Sequence, residues 1–325
     1  MSDSVNQSGA PGAAWPQPPA ADPEGLESPL KRSIRARGAV LDLPFTQSLY
    51  SPLLKDQRRD GVEVICDLAY GPDSRHRLDV YRPQAEGSSR RPVVIFFHGG
   101  GFIRGDKSDR ENVGQHFARR GFVLVLANYR LAPAHRWPAG AEDVISVYRW
   151  CHENAERYGI DTARIFLAGE SAGAAHVATA TLVRRFHPPE GLSIAGAVLI
   201  SGVYNTRLEQ LARKQFGVAT PDPRNEAYYG SDFSLYREVS TVELIDAPPI
   251  PLLITFAELD LLQMQVQAGE LFARLVTRHG YEPQIKVIRG HNHLTQVYAV
   301  NTGDESLSEP VMAFLQRALP KEEIR

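Results

Sequence analysis

The pentapeptide Gly169-Glu170-Ser171-Ala172-Gly173 is the strongest indication of the fold of this chain. It follows the apolar run Ile165–Ala168, which is typical of a buried strand, and it precedes a stretch that favours a helix. A serine flanked two residues away on either side by glycine is typical of a sharp strand-to-helix turn, because only glycine fits such a tight bend. We therefore predict that Ser171 lies at the end of a strand as an exposed nucleophile.

A second glycine-rich stretch, His98-Gly99-Gly100-Gly101-Phe102, follows the strand-like run Val93–Phe97. Such a loop exposes main-chain N–H groups that can face a developing oxyanion. The expected donors are the N–H groups of Gly100, Gly101 and Ala172, and losing one such donor typically raises a barrier by about 3 kcal/mol. His98 is expected to anchor this loop through hydrogen bonds rather than to carry a proton.

A serine hydroxyl is a poor nucleophile at neutral pH and needs a base, which a carboxylate in turn orients. In strand-turn-helix sites of this kind the order along the chain is serine, acid, histidine. The predicted strand Pro251–Phe256 is followed by Glu258 and Asp260. Asp260 is the favoured acid because it lies deeper into the loop, and Glu258 is the second candidate.

Two histidines compete for the role of base. His291 and His293 follow the predicted strand Gln284–Ile288, and their spacing alone does not choose between them. His293 is favoured because it lies next to the apolar Leu294, closer to the helical return that would turn a side chain over the sheet. His291 would then be a neighbour of the base or a hydrogen-bond donor to it.

Strands and helices alternate after about residue 60, which predicts a mostly parallel, doubly wound α/β sheet covered on both faces. Residues 1–26 are rich in Pro, Ala, Gly and Ser and are predicted to be a disordered leader. Residues 27–325 are predicted to form one domain. Its small helical cap is assigned to about 27–60 plus 203–247, since the alternation is absent from both segments.

The bulk composition excludes several classes of function. The net charge is −2 over 325 residues, and no basic block resembles a nucleic-acid surface. Cys66 and Cys151 lie far apart, so neither a disulfide framework nor a metal site is indicated. We expect no cofactor, because dinucleotide and P-loop fingerprints are absent. No signal peptide or membrane-length apolar stretch is found, so a cytoplasmic location without membrane contact is expected.

Three motifs together resemble the hormone-sensitive-lipase-like carboxylesterases of the α/β-hydrolase fold. They are residues 98–102, residues 128–133 (NYRLAP) with the following Trp137-Pro138-Ala139, and residues 169–173. The resemblance implies a triad of Ser171, Asp260 and His293, with Gly100, Gly101 and Ala172 as oxyanion donors.

The chain departs from that family at two positions. Glu170 replaces the usual Asp before the serine, and Leu294 replaces the usual Gly after the histidine. Tyr70-Gly71 and the stretch Arg77–Pro83 are in addition similar to kynurenine formamidase-like and feruloyl-esterase-like hydrolases.

These observations predict a serine carboxylesterase that cleaves small to medium esters through an acyl-enzyme. An arylformamidase or amidase with the same triad is the first alternative. A catalytically silent ligand receptor of the same fold is the second, although such proteins usually lack a triad member. A small-molecule ester is the expected partner, and the protein is expected to be a monomer or a homodimer.

Overall fold

The computed structural model describes residues 28–84, 90–208, 211 and 223–319, so the predicted leader lies outside the described residues. The strands are β1 (Val62–Ala69), β2 (Arg77–Pro83), β3 (Arg91–Phe97), β4 (Val123–Ala127), β5 (Ile160–Glu170), β6 (Gly196–Ile200), β7 (Leu252–Leu259) and β8 (Gln284–Asn292). The helices are α1 (Pro29–Arg37), α2 (Leu43–Lys55), α3 (Glu111–Ala118), α4 (Ala139–Glu153), α5 (Ala155–Tyr158), α6 (Ala172–Leu182), α7 (Pro223–Tyr229), α8 (Thr241–Leu244), α9 (Leu262–His279), α10 (Thr295–Tyr298) and α11 (Ser308–Arg317).

Within the described ranges the strands form one eight-stranded sheet in the order β1-β2-β4-β3-β5-β6-β7-β8. β2 pairs antiparallel with both β1 and β4, whereas every pair from β4 to β8 is parallel. The predicted mostly parallel α/β sheet is confirmed. Because parallel strands end at one edge, the segments after β3, β5, β7 and β8 meet there.

Alternate side chains of the central strands enter two separate cores. Leu167 of β5 points into a core that includes residues of α4, α6 and α9, while its neighbour Phe166 points into a core that includes residues of α3 and α11. The central strands are therefore apolar on both sides, which is the reason that they read as continuous apolar runs rather than as alternating ones.

The two strands before the candidate acid and base extend further than the sequence indicates. β7 continues through Leu259, so Glu258 belongs to the strand and Asp260 is the first residue beyond it. β8 continues to Asn292, which places His291 within the strand and His293 in the following turn. The prediction that both histidines lie in one loop is wrong, because strand pairing with β7 reaches Asn292 opposite Leu259.

Helices α1 and α2 occupy the first segment that was assigned to the cap, and α7 and α8 occupy part of the second. Ile34 and Tyr50, from α1 and α2, are fully buried in a small core with Leu259 and Ala299. The packing in this core holds both helices beside the ends of β7 and β8. Among the described residues, every helix is too short or too polar to cross a membrane.

Candidate active site

Ser171 occupies the turn between β5 and α6 with a strained backbone, φ 52° and ψ −117°. Its N–H donates to Ile200 O of the neighbouring strand at 2.8 Å. Gly173 faces the main chain of β3 so closely that a Cβ there would lie 2.2 Å from Phe97 O. The turn is therefore held by contacts of the main chain, which is the physical basis of the glycine requirement read from the sequence.

The structure brings together the three residues that the sequence names as nucleophile, base and acid. His293 Nε2 lies 3.0 Å from Ser171 Oγ. On the other side of the ring, Nδ1–H donates to Asp260 Oδ1 at 2.7 Å. Since a carboxylate only accepts, this bond leaves Nε2 as the acceptor for the serine hydroxyl.

Asp260 is 1% exposed, and each of its carboxylate oxygens has further donors. Leu261 N–H donates to Oδ1 at 2.9 Å, and the Ser201 hydroxyl donates to Oδ2 at 2.5 Å. Gln296 in turn donates to Ser201 Oγ at 2.7 Å and to His293 O at 3.2 Å. These bonds satisfy the buried carboxylate and hold it toward the imidazole.

Ser201 and Gln296 were missed by sequence reasoning. Ser201 directly follows β6, whose Ile200 lies opposite Glu170 in the sheet register, so it ends beside the elbow. Gln296 lies three residues after His293, a spacing that one helical turn brings together. Knowledge of the strand order would have revealed Ser201, but a single polar residue after an apolar strand carries no signal by itself.

The alternative acid and base lie elsewhere and form another set of contacts. The Glu258 carboxylate accepts the Gly290 N–H at 2.8 Å and pairs with Arg35 of α1 at 3.3 Å. His291 is fully buried, with Nε2 lying 3.3 Å from Asp304 Oδ2. Burial raises the pKa of Asp304, but the nearby His291 ring and the hydrogen bonding of Ser306 outweigh it and hold that pKa well below its usual range. Glu258 and His291 thus support the turn that carries His293.

The glycine loop lies against the elbow, where a Cβ on Gly99 would be 3.3 Å from Ser171 Cβ. Gly100 has φ 140°, and a Cβ there would lie 1.9 Å from Arg104 O, so only glycine fits. Gly100, Gly101 and Ala172 all line the cleft that contains Ser171. Among the described residues, none of these three N–H groups donates to a main-chain oxygen, apart from the regular hydrogen bonds within helices and strands.

His98 anchors the loop, as its hydrogen bonds show. Its Nδ1–H donates to Gly99 O at 2.6 Å, and Arg75 Nη2 lies 3.4 Å from its Nε2. Arg75 can only donate, so Nε2 accepts and the proton stays on Nδ1. Burial lowers the pKa of His98 to about 4, which keeps the ring neutral at physiological pH. A trans peptide points its C=O and N–H in opposite directions, so holding Gly99 O fixes the direction of the Gly100 N–H.

A cleft of about 1060 Å³, including its open mouth, contains Ser171 and His293. Its walls combine apolar and charged side chains from the N-terminal helices, the glycine loop, the segment after β6 and the turn after β8. The apolar lining residues include Leu41, Leu43, Phe102, Val203, Met264, Leu294 and Tyr298, and the charged ones are Arg104, Asp109, Arg110, Glu170 and Arg224. Tyr228 of α7 is 1% exposed and stacks on Phe102 with 4.6 Å between centroids, so it supports the wall from behind.

Comparison with known proteins gives matches over the part of the chain that carries these features. A family model described as an alpha/beta hydrolase fold matches residues 94–297. Esterase LipI of Mycobacterium tuberculosis is 39% identical over 147 residues, which cover 41% of this chain and 46% of the relative. Carboxylesterase NlhH of the same organism is 42% identical over 139 residues, which cover 42% and 41%. The matches thus span less than half the length of these curated relatives.

A solved esterase structure from Pyrobaculum calidifontis superposes with a TM-score of 0.65 at 26% identity, covering 90% of this chain and 96% of that one. The similarity in structure is therefore far more extensive than the similarity in sequence.

Proposed function

The chain belongs to the family with the alpha/beta hydrolase fold, and on this premise we propose that it is a serine carboxylesterase that hydrolyses small to medium carboxylic esters. The matches confirm the resemblance to hormone-sensitive-lipase-like esterases that the motifs indicate. The proposal rests on one observation above all. Ser171, His293 and Asp260 form a continuous hydrogen-bonded line, and Ser171 and His293 line a cleft.

In the proposed reaction, His293 Nε2 takes the proton of Ser171 as Oγ attacks the carbonyl carbon of the ester. The N–H groups of Gly100, Gly101 and Ala172 stabilise the oxyanion that forms. The imidazolium then gives its proton to the departing alcohol, which leaves an acyl-enzyme. Water, deprotonated by the same imidazole, attacks that acyl group, and the acid is released with Ser171 restored.

Apolar side chains in the lining of the cleft support binding of the apolar part of an ester. Leu41 and Leu43 come from the N-terminal segment, and Met264 comes from the start of α9. Together they offer an apolar surface to an acyl chain or an alcohol, and such surface contributes roughly 25 cal/mol per Å² that it removes from water.

The test is hydrolysis of p-nitrophenyl acetate and butyrate by the wild type and by Ser171→Ala. We expect the variant to lose on the order of 10³-fold or more in kcat/KM, because the nucleophile is removed. Ser146→Ala is the matched control, since that serine lies on α4 and donates to Glu142 O within its own helix. Equal background-corrected rates for wild type and Ser171→Ala would refute the proposal.

Two further measurements address the alternatives. A fluorophosphonate probe should label the wild type and not Ser171→Ala, whereas a silent receptor would not be labelled. Rates on N-formylkynurenine against aryl esters of similar size separate the amidase alternative, and an esterase should favour the esters.

A further inference from the structure

A buried ion pair lies directly beneath the glycine loop and plays no part in the proton transfers described above. Glu170 is 5% exposed and Arg110, from the turn before α3, is 7% exposed. Arg110 Nε donates to Glu170 Oε1, and the same oxygen accepts the Gly99 N–H at 3.0 Å. One carboxylate oxygen therefore links the residue before the nucleophile to the first glycine of the loop.

The guanidinium of Arg110 extends this link to the segment that carries the base. It lies 4.8 Å from the centre of the Tyr298 ring, in α10, which begins two residues after His293. It also donates to Asp109 O at 2.5 Å. Arg110 thus contacts both the elbow and the helix beyond the base, and Tyr298, Arg110 and Glu170 all line the cleft.

A carboxylate so close to the oxyanion site has an electrostatic cost. A carboxylate adjacent to Ser171 would oppose the negative charge that develops on the carbonyl oxygen, since like charges repel strongly where water is excluded. The Arg110 cation offsets that carboxylate. Burial by itself lowers the pKa of Arg110, but the charge of Glu170 outweighs it and raises the pKa, so the cation persists.

The length of the Glu170 side chain is suited to this arrangement. Its carboxyl carbon lies close to the loop, where a Cβ on Gly99 would be 3.4 Å away. An aspartate is shorter by one C–C bond, roughly 1.5 Å. An aspartate at position 170 would therefore lose the hydrogen bond from either the Gly99 N–H or Arg110 Nε.

We propose that Glu170 and Arg110 are positioning residues, which hold Gly99 so that the Gly100 and Gly101 N–H groups face the oxyanion, while Arg110 cancels the Glu170 charge beside it. This inference rests on the proposed esterase function. It assigns a role in transition-state stabilisation to Arg110, which sequence motifs do not identify.

The experiment compares Glu170→Gln, Glu170→Asp, Arg110→Met and the double variant Glu170→Gln/Arg110→Met. For each, kcat and KM for p-nitrophenyl acetate are measured beside the inhibition constant of an aryl trifluoromethyl ketone. That inhibitor forms a tetrahedral oxyanion on the serine and so reports the loop geometry and the local charge directly.

Arg110→Met leaves an uncancelled carboxylate and should lower kcat on the order of 100-fold, with KM changed by less than about threefold. Glu170→Gln keeps an acceptor for Gly99, and Glu170→Asp loses reach, so each should lower kcat about tenfold. The double variant should recover kcat above that of Arg110→Met, because both charges are gone. Inhibitor affinity should follow kcat in every case.

Loss of stability alone would not produce this pattern. Leu315→Ala removes a fully buried side chain of α11 that lies outside the cleft lining and gives a destabilised control. That control should lower the melting temperature without changing kcat or inhibitor affinity at 25 °C. If Arg110→Met does not fold, Arg110→Lys keeps the charge but not the Nε bond, and a tenfold loss in kcat with weaker inhibitor binding is expected.

The inference is overturned if the folded variants keep kcat and inhibitor affinity within twofold of wild type. It is equally overturned if they raise KM alone, or if the double variant is as slow as or slower than Arg110→Met. Wild type and Ser171→Ala are run in the same assays. An inactive wild type refutes the esterase proposal, whereas an active wild type with unaffected pair variants refutes only this inference.

Discussion

The elbow after β5 and the turn after β8 carry Ser171 and His293, the two partners of the proposed proton transfer, yet they are held in different ways. The elbow is held by main-chain contacts within a few ångströms, including the approach of Gly173 to Phe97 O and the bond from Ser171 N–H to Ile200 O. The turn after β8 is held by side chains from distant segments, among them Asp260 and, through Asp304, Lys31.

Because the two halves of the site are held differently, substitutions should disturb them in different ways. A turn that is held by close main-chain contacts tolerates almost no increase in side-chain size, because the closely packed main chain cannot shift to make room. A turn held by side-chain contacts loses its stabilisation in small steps, since each contact contributes a separate and modest free energy. Variants in the two regions should therefore differ in both size and kind of effect.

The largest effect tests which histidine of the β8 segment reacts. His293→Ala should lower kcat/KM on the order of 10³-fold or more, because the base is removed. His291→Ala should lower it less than about tenfold, while lowering the free energy of unfolding by about 1–3 kcal/mol through loss of buried hydrogen bonding. The measurements are ester hydrolysis and urea unfolding of both variants. A folded His291→Ala as inactive as His293→Ala would contradict this assignment.

A smaller effect tests the elbow. In Gly173→Ala the new Cβ would lie 2.2 Å from Phe97 O, so β3 and α6 must separate. We expect loss of roughly 1–3 kcal/mol of stability and on the order of 100-fold in kcat/KM, since displacement of the nucleophile is costly. Gly269→Ala on α9 is the control, because its Cβ meets no atom within 4 Å and alanine favours a helix. If Gly173→Ala keeps wild-type activity, the elbow can deform to accept a Cβ, and the expectation from its close contacts is wrong.

The smallest effect tests the distant supports of the turn after β8. Lys31 lies 3.3 Å from Asp304, and Arg35 lies 3.3 Å from Glu258. These ion pairs are only partly buried, so Lys31→Met and Arg35→Met should each cost about 0.2–1 kcal/mol of stability. Each variant should also lose a few-fold in kcat/KM, because α1 contacts β8, the strand that precedes His293.

Arg82→Met is the matched control for both lysine and arginine variants, since its partner Glu63 lies at the antiparallel edge of the sheet. It should change stability by a similar amount and leave ester hydrolysis unaltered. If all three variants behave alike in hydrolysis, the N-terminal helices do not support the turn. Thermal unfolding and initial rates on p-nitrophenyl acetate suffice for the comparison.

The parts that sequence analysis predicted well are those whose signal is local. The elbow, the glycine loop and the alternation of strands and helices along the chain follow from glycine spacing and from apolar runs, because backbone sterics act within a few residues. Asp260 is favoured over Glu258 because it lies deeper into the loop, and His293 over His291 because it lies next to Leu294 and nearer the helical return. The structure places His293 next to Ser171 and Asp260 next to His293.

The parts that escaped prediction depend on strand order and on reach across the sheet. Ser201 meets Asp260 because β6 lies between β5 and β7, and Arg110 meets Glu170 across the loop that separates β3 from α3. Neither residue lies in a motif. Their partners are 59 and 60 positions away along the chain, a separation that carries no periodic signal.

By itself, then, the amino-acid sequence determined the fold class, the choice of Ser171 as the candidate nucleophile and the glycine turns around it, because steric limits on the backbone depend on neighbouring residues. Only the tertiary structure decided which histidine meets that serine, which carboxylate meets the histidine, and which buried charges lie close to them. Such choices depend on distances between segments that are far apart in the chain and become close only when the sheet has formed.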